Sequence, residues 1–304
     1  MTETAVITGA TAGLGAEFAR ALAERGYNVV LTARDEERLQ AKARELSSRY
    51  HVEASVIPAD LSTKDGVDKV AARVGQPDVA VLVNNAGYGL KNDFHANPAQ
   101  TEIDHLAVLV QAPLLLSHAA VNSMLERGGG RIINVASVAG FIPRGTYSAA
   151  KAWVINFSRW ANLHYAGRGV SVTAVCPGFV HTEFHQRMQM DKTLYPKWMW
   201  LDADRVVREG LADAFAGKGV SVPSKRYKLL AAVGSRGPQG LIARIGGRGR
   251  QTPPRIRHLP AEPAEPAEPN RPNPKLPGRS PEPPFREMPV AAAVPAGTVI
   301  GWRA

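Results

Sequence analysis

Seven short apolar runs, separated by longer stretches of helical periodicity, constrain this chain more than any other feature. The runs are Thr4–Thr8, Asn28–Thr32, Ala54–Ile57, Val79–Asn84, Arg131–Ala136, Val170–Cys176 and Val220–Val222. Several are apolar at nearly every position instead of every second one. Strands of a parallel sheet covered on both faces have that pattern. Helical patterns fill 13–25, 35–49, 64–74, 98–127, 147–167 and 203–216. Strand and helix in alternation imply parallel strands joined by right-handed crossovers. The expected fold is α/β, a doubly wound parallel sheet in a single domain. Such sheets take their ligands outside the C-terminal ends of the strands, and the motifs of this chain fall there.

The pattern decays after residue 224. Of 23 prolines, 14 follow residue 250. Residues 1–224 carry 23 Lys/Arg against 22 Asp/Glu, whereas 225–304 carry 14 against 5. The net charge of +10 and the pI near 9.9 therefore belong to the C-terminal quarter. A near-neutral globular part argues against nucleic-acid binding. Three parts are expected: a domain over 1–224, a basic extension over 225–250, and a proline-rich disordered tail over 251–304. The tail cannot bury enough apolar area to offset the entropy of ordering it. The extension alternates Lys225, Arg226, Lys228, Arg236, Arg244, Arg248 and Arg250 with leucine and isoleucine, which leaves weak contact with an anionic membrane surface open. The other reading is a solvated extension, since its glycines and Pro238 oppose one continuous amphipathic helix. A single cysteine, Cys176, rules out an intramolecular disulfide. Thr2-Glu3-Thr4 runs straight into a strand pattern, so no secretory leader is expected. Nor is a spanning helix expected, and a cytoplasmic location follows.

Thr8-Gly9-Ala10-Thr11-Ala12-Gly13-Leu14-Gly15 ends the first strand and opens the first helix. Glycines there allow a tight turn and close approach to a pyrophosphate, and the helix N-terminus adds N–H groups and a favourable dipole. The spacing G-x-x-x-G-x-G differs from the dinucleotide fingerprint G-x-G-x-x-G, and a turn without a ligand would share it. The second strand ends on Ala33-Arg34, where NAD-binding units place an acid for the ribose 2′-OH. An arginine suits the 2′-phosphate of NADP, so NADP(H) is favoured over NAD(H). Arg34 could instead simply begin a solvated helix. Asp60-Leu61 follows the third strand, and Asp60 could accept from an adenine amino group or cap the next helix in competition with Ser62.

Three further elements fall at later strand ends: Asn84-Asn85-Ala86-Gly87, Ser137, and Tyr147-Ser148-Ala149-Ala150-Lys151. Tyr147 and Lys151 are four apart and share a helical face. Reducing a carbonyl requires a proton donor at oxygen. A tyrosine serves poorly at its free pKa near 10, and a neighbouring ammonium favours its phenolate. Ser137 can hydrogen-bond the carbonyl oxygen as charge develops.

The ordered set resembles the short-chain dehydrogenase/reductase family over about residues 4–222. It rests on the glycine motif at 8–15, Asn84-Asn85-Ala86-Gly87, Ser137, Tyr147 with Lys151, and Pro177-Gly178. The resemblance implies a Rossmann fold and an oxidoreductase that interconverts carbonyl and alcohol. It implies Ser137, Tyr147 and Lys151 as catalytic residues, with Lys151 also on the nicotinamide ribose. It places Phe179–Thr182, Val180 included, along the nicotinamide, with Thr182 on its carboxamide. Asn85, Ala86 and Gly87 would support the adenosine side, and a homodimer or homotetramer is implied. One position departs from the family: Leu109 stands where an asparagine usually kinks the helix and holds a relay water. Leucine can neither bind water nor relay a proton; His105, one turn earlier, could partly compensate. A dinucleotide-binding regulator or scaffold with little turnover is the alternative that this departure supports.

Residues 179–200 form the expected substrate loop. Phe179, Phe184, Met188, Met190, Tyr195, Trp198, Met199 and Trp200 crowd it with apolar surface. Such a lid suits a hydrophobic carbonyl or alcohol, or the same side chains pack the loop onto the domain or onto a second subunit. His181 and His185 have no further ligand cluster beside them, so no metal site is expected.

Overall fold

The computed structural model describes residues 2–183 and 196–236. The proline-rich tail, residues 237–250 of the basic extension and 184–195 of the substrate loop lie outside them. Seven strands form one parallel sheet: β1 Thr4–Thr8, β2 Asn28–Ala33, β3 Ala54–Pro58, β4 Val79–Asn84, β5 Gly130–Val135, β6 Val170–Val175 and β7 Val220–Ser221. The helices are α1 Gly13–Ala23, α2 Glu36–Tyr50, α3 Lys64–Val74, α4 Ala99–Leu106, α5 Ala112–Glu126, α6 Gly145–Tyr165, α7 Ala203–Phe215 and α8 Lys225–Arg236. The strand order is β3-β2-β1-β4-β5-β6-β7. The chain therefore winds outward from β1 in one direction and from β4 in the other. The crevice opens at the C-terminal ends of these two strands, where the order reverses.

The continuous apolar strands read as they do because both faces are covered. On β1 and β2, Ala5, Ile7, Val29 and Leu31 face one core with Phe18, Leu22, Leu39 and Leu211, whereas Val6 and Val30 face the other with Val70, Leu116 and Met124. Buried polar side chains then fix the second half of the sheet. The Asn84 amide donates to Ser117 Oγ at 3.1 Å and Asn134 Oδ1 at 2.8 Å, and the Asn134 amide donates to Ser158 Oγ at 2.9 Å. These bonds pin α5 and α6 to β4 and β5, because breaking any of them would strand a buried polar group.

Two expectations change. Residues 105–125 contain no Asp, Glu, Lys or Arg, and the helical stretch Ala99–Glu126 is long and apolar enough to cross a membrane by length and composition. Half of its most apolar window is buried against the protein, as in a core helix. Gln111, Ser117 and Asn122 interrupt the stretch and conceal its apolar average in the sequence. The second change is at the far end. The basic extension starts as α8, whose Tyr227 and Ala231 are buried. The packed structure therefore continues past 224, because Tyr227 faces inward while the cations beside it face out.

Candidate active site

The glycine turn is shaped by what a side chain would strike. Gly13 has φ +56°, and a Cβ on Gly15 would stand 2.2 Å from Gly9 O and 2.4 Å from Asn85 Nδ2. The first strand, the helix start and the β4 end thus meet without a side chain between them. Ala12 is the N-cap of α1 and makes no side-chain cap, and the first turn holds no acid. An uncapped helix start behind a loop of bare backbone suits a pyrophosphate, so the residues present fit a dinucleotide. Gly9, Thr11, Gly13, Leu14 and Gly15 would hold it. Thr8 plays a different part, since its buried hydroxyl accepts from the Asn85 and Ala86 N–H groups, both at 2.9 Å. It builds the floor of the cradle and does not line it, because its oxygen is already engaged. Gly13 lies against Thr182, whose Cβ is 3.2 Å from where a Gly13 Cβ would stand. The glycine turn therefore meets the segment after Pro177-Gly178 across the crevice.

At the β2 end the Arg34 side chain is 79% exposed, and its Nη1 is 4.0 Å from Asp60 Oδ2. Burial would raise the Asp60 carboxyl, but bonds from the Ser62 N–H and hydroxyl, with the Arg34 charge, hold it below the ordinary carboxylate range. Asp60 does not cap α3, and neither does Ser62. Thr63 does, accepting from Gly66 N at 3.1 Å. Leu61 is buried beside Asp60 in the core. Arg38 was not anticipated. One turn beyond Arg34, its Nη2 is 3.4 Å from both Thr11 O in the glycine turn and Glu183 Oε1. The signal was the four-residue spacing of the two arginines, with Asp35 capping α2 between them by accepting from Arg38 N.

The β5 and α6 ends bring the chemical groups together. Ser137 and Tyr147 share a hydrogen bond, and Ser137 Oγ also accepts from Ala139 N at 3.1 Å. Burial pushes the Tyr147 phenol up to about 12, against the pull of Ser137. Lys151 is 5% exposed; its ammonium donates to Val135 O at 2.8 Å and stands 5.7 Å from the Tyr147 ring centroid. Burial draws the Lys151 ammonium down to about 8. The sequence reading assigned the lowering of Tyr147 to Lys151. In this structure the Ser137 hydrogen bond pulls the phenol down, and the Lys151 head, 5.7 Å from the ring centroid, donates to Val135 O of β5.

Leu109 sits in a π-helical turn, Ala107–Gln111, between α4 and α5. The kink therefore forms without asparagine. Leu109 is 1% exposed and reaches the site itself: the point where a Gly87 Cβ would stand is 2.8 Å from Leu109 Cδ2 and 3.8 Å from Lys151 Nζ. An apolar methyl and the lysine head thus border the same point beside Gly87. His105 is fully buried, with Nε2 3.0 Å from Tyr88 O and its ring stacked on Tyr147 at 6.3 Å between centroids. Burial lowers its pKa, against the raising effect of the Tyr88 carbonyl. Its Nδ1 has no partner among the described residues. It therefore lies against the tyrosine ring, one turn before Leu109.

Beyond β6, Pro177 O accepts from Val138 N at 2.9 Å, which ties the Pro177-Gly178 segment to the serine turn. Val180 bridges to Leu201, and Trp200 packs on Phe179 at 5.4 Å and His181 at 5.2 Å. The described part of the substrate loop is thus folded onto the domain at both ends. Phe184, His185, Met188, Met190 and Tyr195 lie outside the described residues. Tyr227 of α8 was also not anticipated. Its hydroxyl donates to Met199 O at 2.7 Å and accepts from Phe179 N at 3.1 Å.

Comparison with known proteins agrees with this arrangement. A family model described as short chain dehydrogenase matches residues 3–193. A very-long-chain 3-oxoacyl-CoA reductase of Anas platyrhynchos is 36% identical over 187 residues, 59% of this chain and 60% of that protein. The inactive hydroxysteroid dehydrogenase-like protein 1 of Homo sapiens is 34% identical over 184 residues, 59% of this chain and 56% of that one. The chain thus spans less than two thirds of the length of these relatives. Among solved structures, a short-chain dehydrogenase from Sphingobium yanoikuyae in complex with NADPH superposes with a TM-score of 0.71 at 30% identity, covering 84% of this chain and all of that one.

Proposed function

The chain belongs to the short-chain dehydrogenase/reductase family, and on that premise we propose that it interconverts a bulky apolar carbonyl compound and its alcohol with NADP(H). The observation that carries the reading is the hydrogen-bonded Ser137–Tyr147 pair, with buried Lys151 beside it, at strand ends next to the glycine cradle. The bound dinucleotide supplies or accepts the hydride. The chain's own groups handle the oxygen. Ser137 and Tyr147 donate to the carbonyl oxygen, and the Tyr147 proton passes to that oxygen as it becomes an alcohol. The Lys151 ammonium then offers positive charge to the phenolate. A phenol that holds its proton up to about pH 12 is an acid throughout the neutral range. It can therefore donate to a carbonyl oxygen at neutral pH, and the rate of oxidation, which needs the phenolate, should rise as pH increases.

NADP(H) is supported by exposed Arg34 at the β2 end, by Ala33 where an acid would hold a 2′-OH, and by Arg38 one turn on. Phe179, Trp198, Met199 and Trp200 around the described loop ends support an apolar substrate, as does the very-long-chain acyl substrate in the name of the duck relative. Exposed Ile103, Leu106, Leu114 and Leu115 on α4 and α5, with Trp160 and Leu163 on α6, support a homodimer or homotetramer built on those helices. Size-exclusion chromatography with light scattering tests the assembly. The catalytic reading is tested by Tyr147→Phe on a panel of bulky ketones and 3-oxoacyl thioesters. Turnover should fall by about 10²–10⁴-fold with NADPH affinity unchanged; a variant that keeps wild-type turnover overturns it.

A second reading has its own observation. Leu109 puts an apolar methyl at the same point beside Gly87 that Lys151 approaches, and the human relative is named inactive. A dinucleotide-binding regulator would bind NADPH tightly and turn over nothing in the same panel.

A further inference from the structure

We propose that the outer face of α8, with the adjoining end of the substrate loop, docks on an anionic lipid surface. The claim goes beyond the catalytic reading and stands whether or not the chain turns over. Its basis is a hollow of about 420 Å³ lined by Arg205, Lys225, Arg226 and Lys228, with Glu209 and Ser224. The one acid there is already engaged: Glu209 accepts from Ser224 N at 2.8 Å and from Arg205 Nε at 2.9 Å. Three cations of α8 and Arg205 therefore outnumber the single acid of a headgroup-sized hollow, and that acid also feels the Lys228 charge. Apolar surface stands beside them. Trp198 is 56% exposed and Leu229 68%, with exposed Lys197 next to the tryptophan. Arg226 holds the indole in place, stacking 5.8 Å from its centroid and donating to Trp198 O at 2.8 Å.

Cations surrounding an exposed indole and leucine are the composition of an interfacial surface: the charges meet anionic headgroups and the apolar tips enter the acyl boundary. The inner side of α8 connects the docking face to the site. Tyr227 bridges Phe179 N and Met199 O, and a Cβ on Gly178 would stand 2.0 Å from its ring. A surface gripped by α8 therefore lies next to the two segments that frame the substrate end of the crevice, and a lipid-phase substrate would have a short way to travel.

The test is co-sedimentation of the full chain with vesicles of phosphatidylcholine alone or with about 30% phosphatidylserine. Anionic vesicles should bind at least about tenfold more tightly than neutral ones, and binding should weaken as salt rises. Lys225→Glu/Lys228→Glu should remove about tenfold of that affinity, and Trp198→Ala several-fold at constant charge. NADPH affinity and melting temperature check the fold of each variant. A matched change in the tail, Arg255→Glu/Arg257→Glu, should leave binding nearly intact. The proposal is overturned if the tail variant loses binding and the α8 variants keep it, if neutral vesicles bind equally, or if millimolar inorganic phosphate alone releases the protein at constant ionic strength, which would mark a free-anion site.

Discussion

The two halves of the crevice are built from opposite materials. At β1, β2 and β3 the site is mostly backbone: Gly9, Gly13 and Gly15, an uncapped helix start, and one exposed arginine. At β4, β5 and β6 it is buried side chains: Lys151 at 5% exposure, His105 at 0%, and the Asn84–Asn134–Ser158 chain of hydrogen bonds. The first half recognises by shape and costs little stability, because main-chain groups facing an open cradle remain solvated. The second half holds a buried cation and a part-buried phenol, and desolvation shifts both in the direction of their neutral forms. The comparison indicates that cofactor affinity and stability can be altered separately.

The largest effect should come from filling the cradle. Gly15→Ala places a methyl 2.2 Å from Gly9 O, a clash with backbone that has no soft escape. NADPH affinity by calorimetry should fall by about 100-fold or more, with a loss of melting temperature as the turn is forced open. Normal affinity would show that the turn is looser than its geometry implies. Arg34→Ala comes next. Losing charge-assisted bonds to a 2′-phosphate should weaken NADPH by about tenfold or more and NADH hardly at all, with stability unchanged. Equal losses for the two cofactors would remove Arg34 from the phosphate.

Lys151→Met examines the other half. The Lys151 pKa falls from 10.5 in the unfolded chain to about 8 in the fold. Between those values the unfolded chain binds more protons, so this group's contribution to stability rises with pH through that window, and its full penalty applies below pH 8. Methionine removes the penalty but leaves Val135 O without its donor. Urea unfolding should show a net gain of about 1–3 kcal/mol at pH 7, shrinking toward pH 10, while turnover is lost. A loss of stability at pH 7 would mean that the ammonium is better solvated than its burial suggests. The smallest effect is expected of Leu109→Asn. An amide beside Lys151 should move the alkaline limb of the pH–rate profile, at a cost of about 1–3 kcal/mol for burying a polar group with incomplete partners. An unchanged profile in a folded variant would place this position outside proton transfer.

Most of the architecture was legible in the sequence. The seven strands fell within one or two residues of their expected ends, because parallel strands buried on both faces must be apolar throughout and glycine or charge interrupts them sharply. The glycine turn, Ser137 and the Tyr147–Lys151 spacing were legible for a related reason: each is set by neighbours a few residues away. What the tertiary structure alone decided depends on distant contacts. Thr8 is turned from ligand to floor by the Asn85 and Ala86 N–H groups more than seventy residues away. Arg38 reaches the cradle only because α2 packs beside the glycine turn. Lys151 is held by a β5 carbonyl, a partner sixteen residues back that helical spacing could not name. The end of the packed domain moved past 224 because Tyr227 finds Phe179 and Met199, partners 48 and 28 residues back. Local periodicity and backbone chemistry are written in adjacent residues. Which polar atom each buried group meets is settled only when strands far apart in sequence are brought side by side.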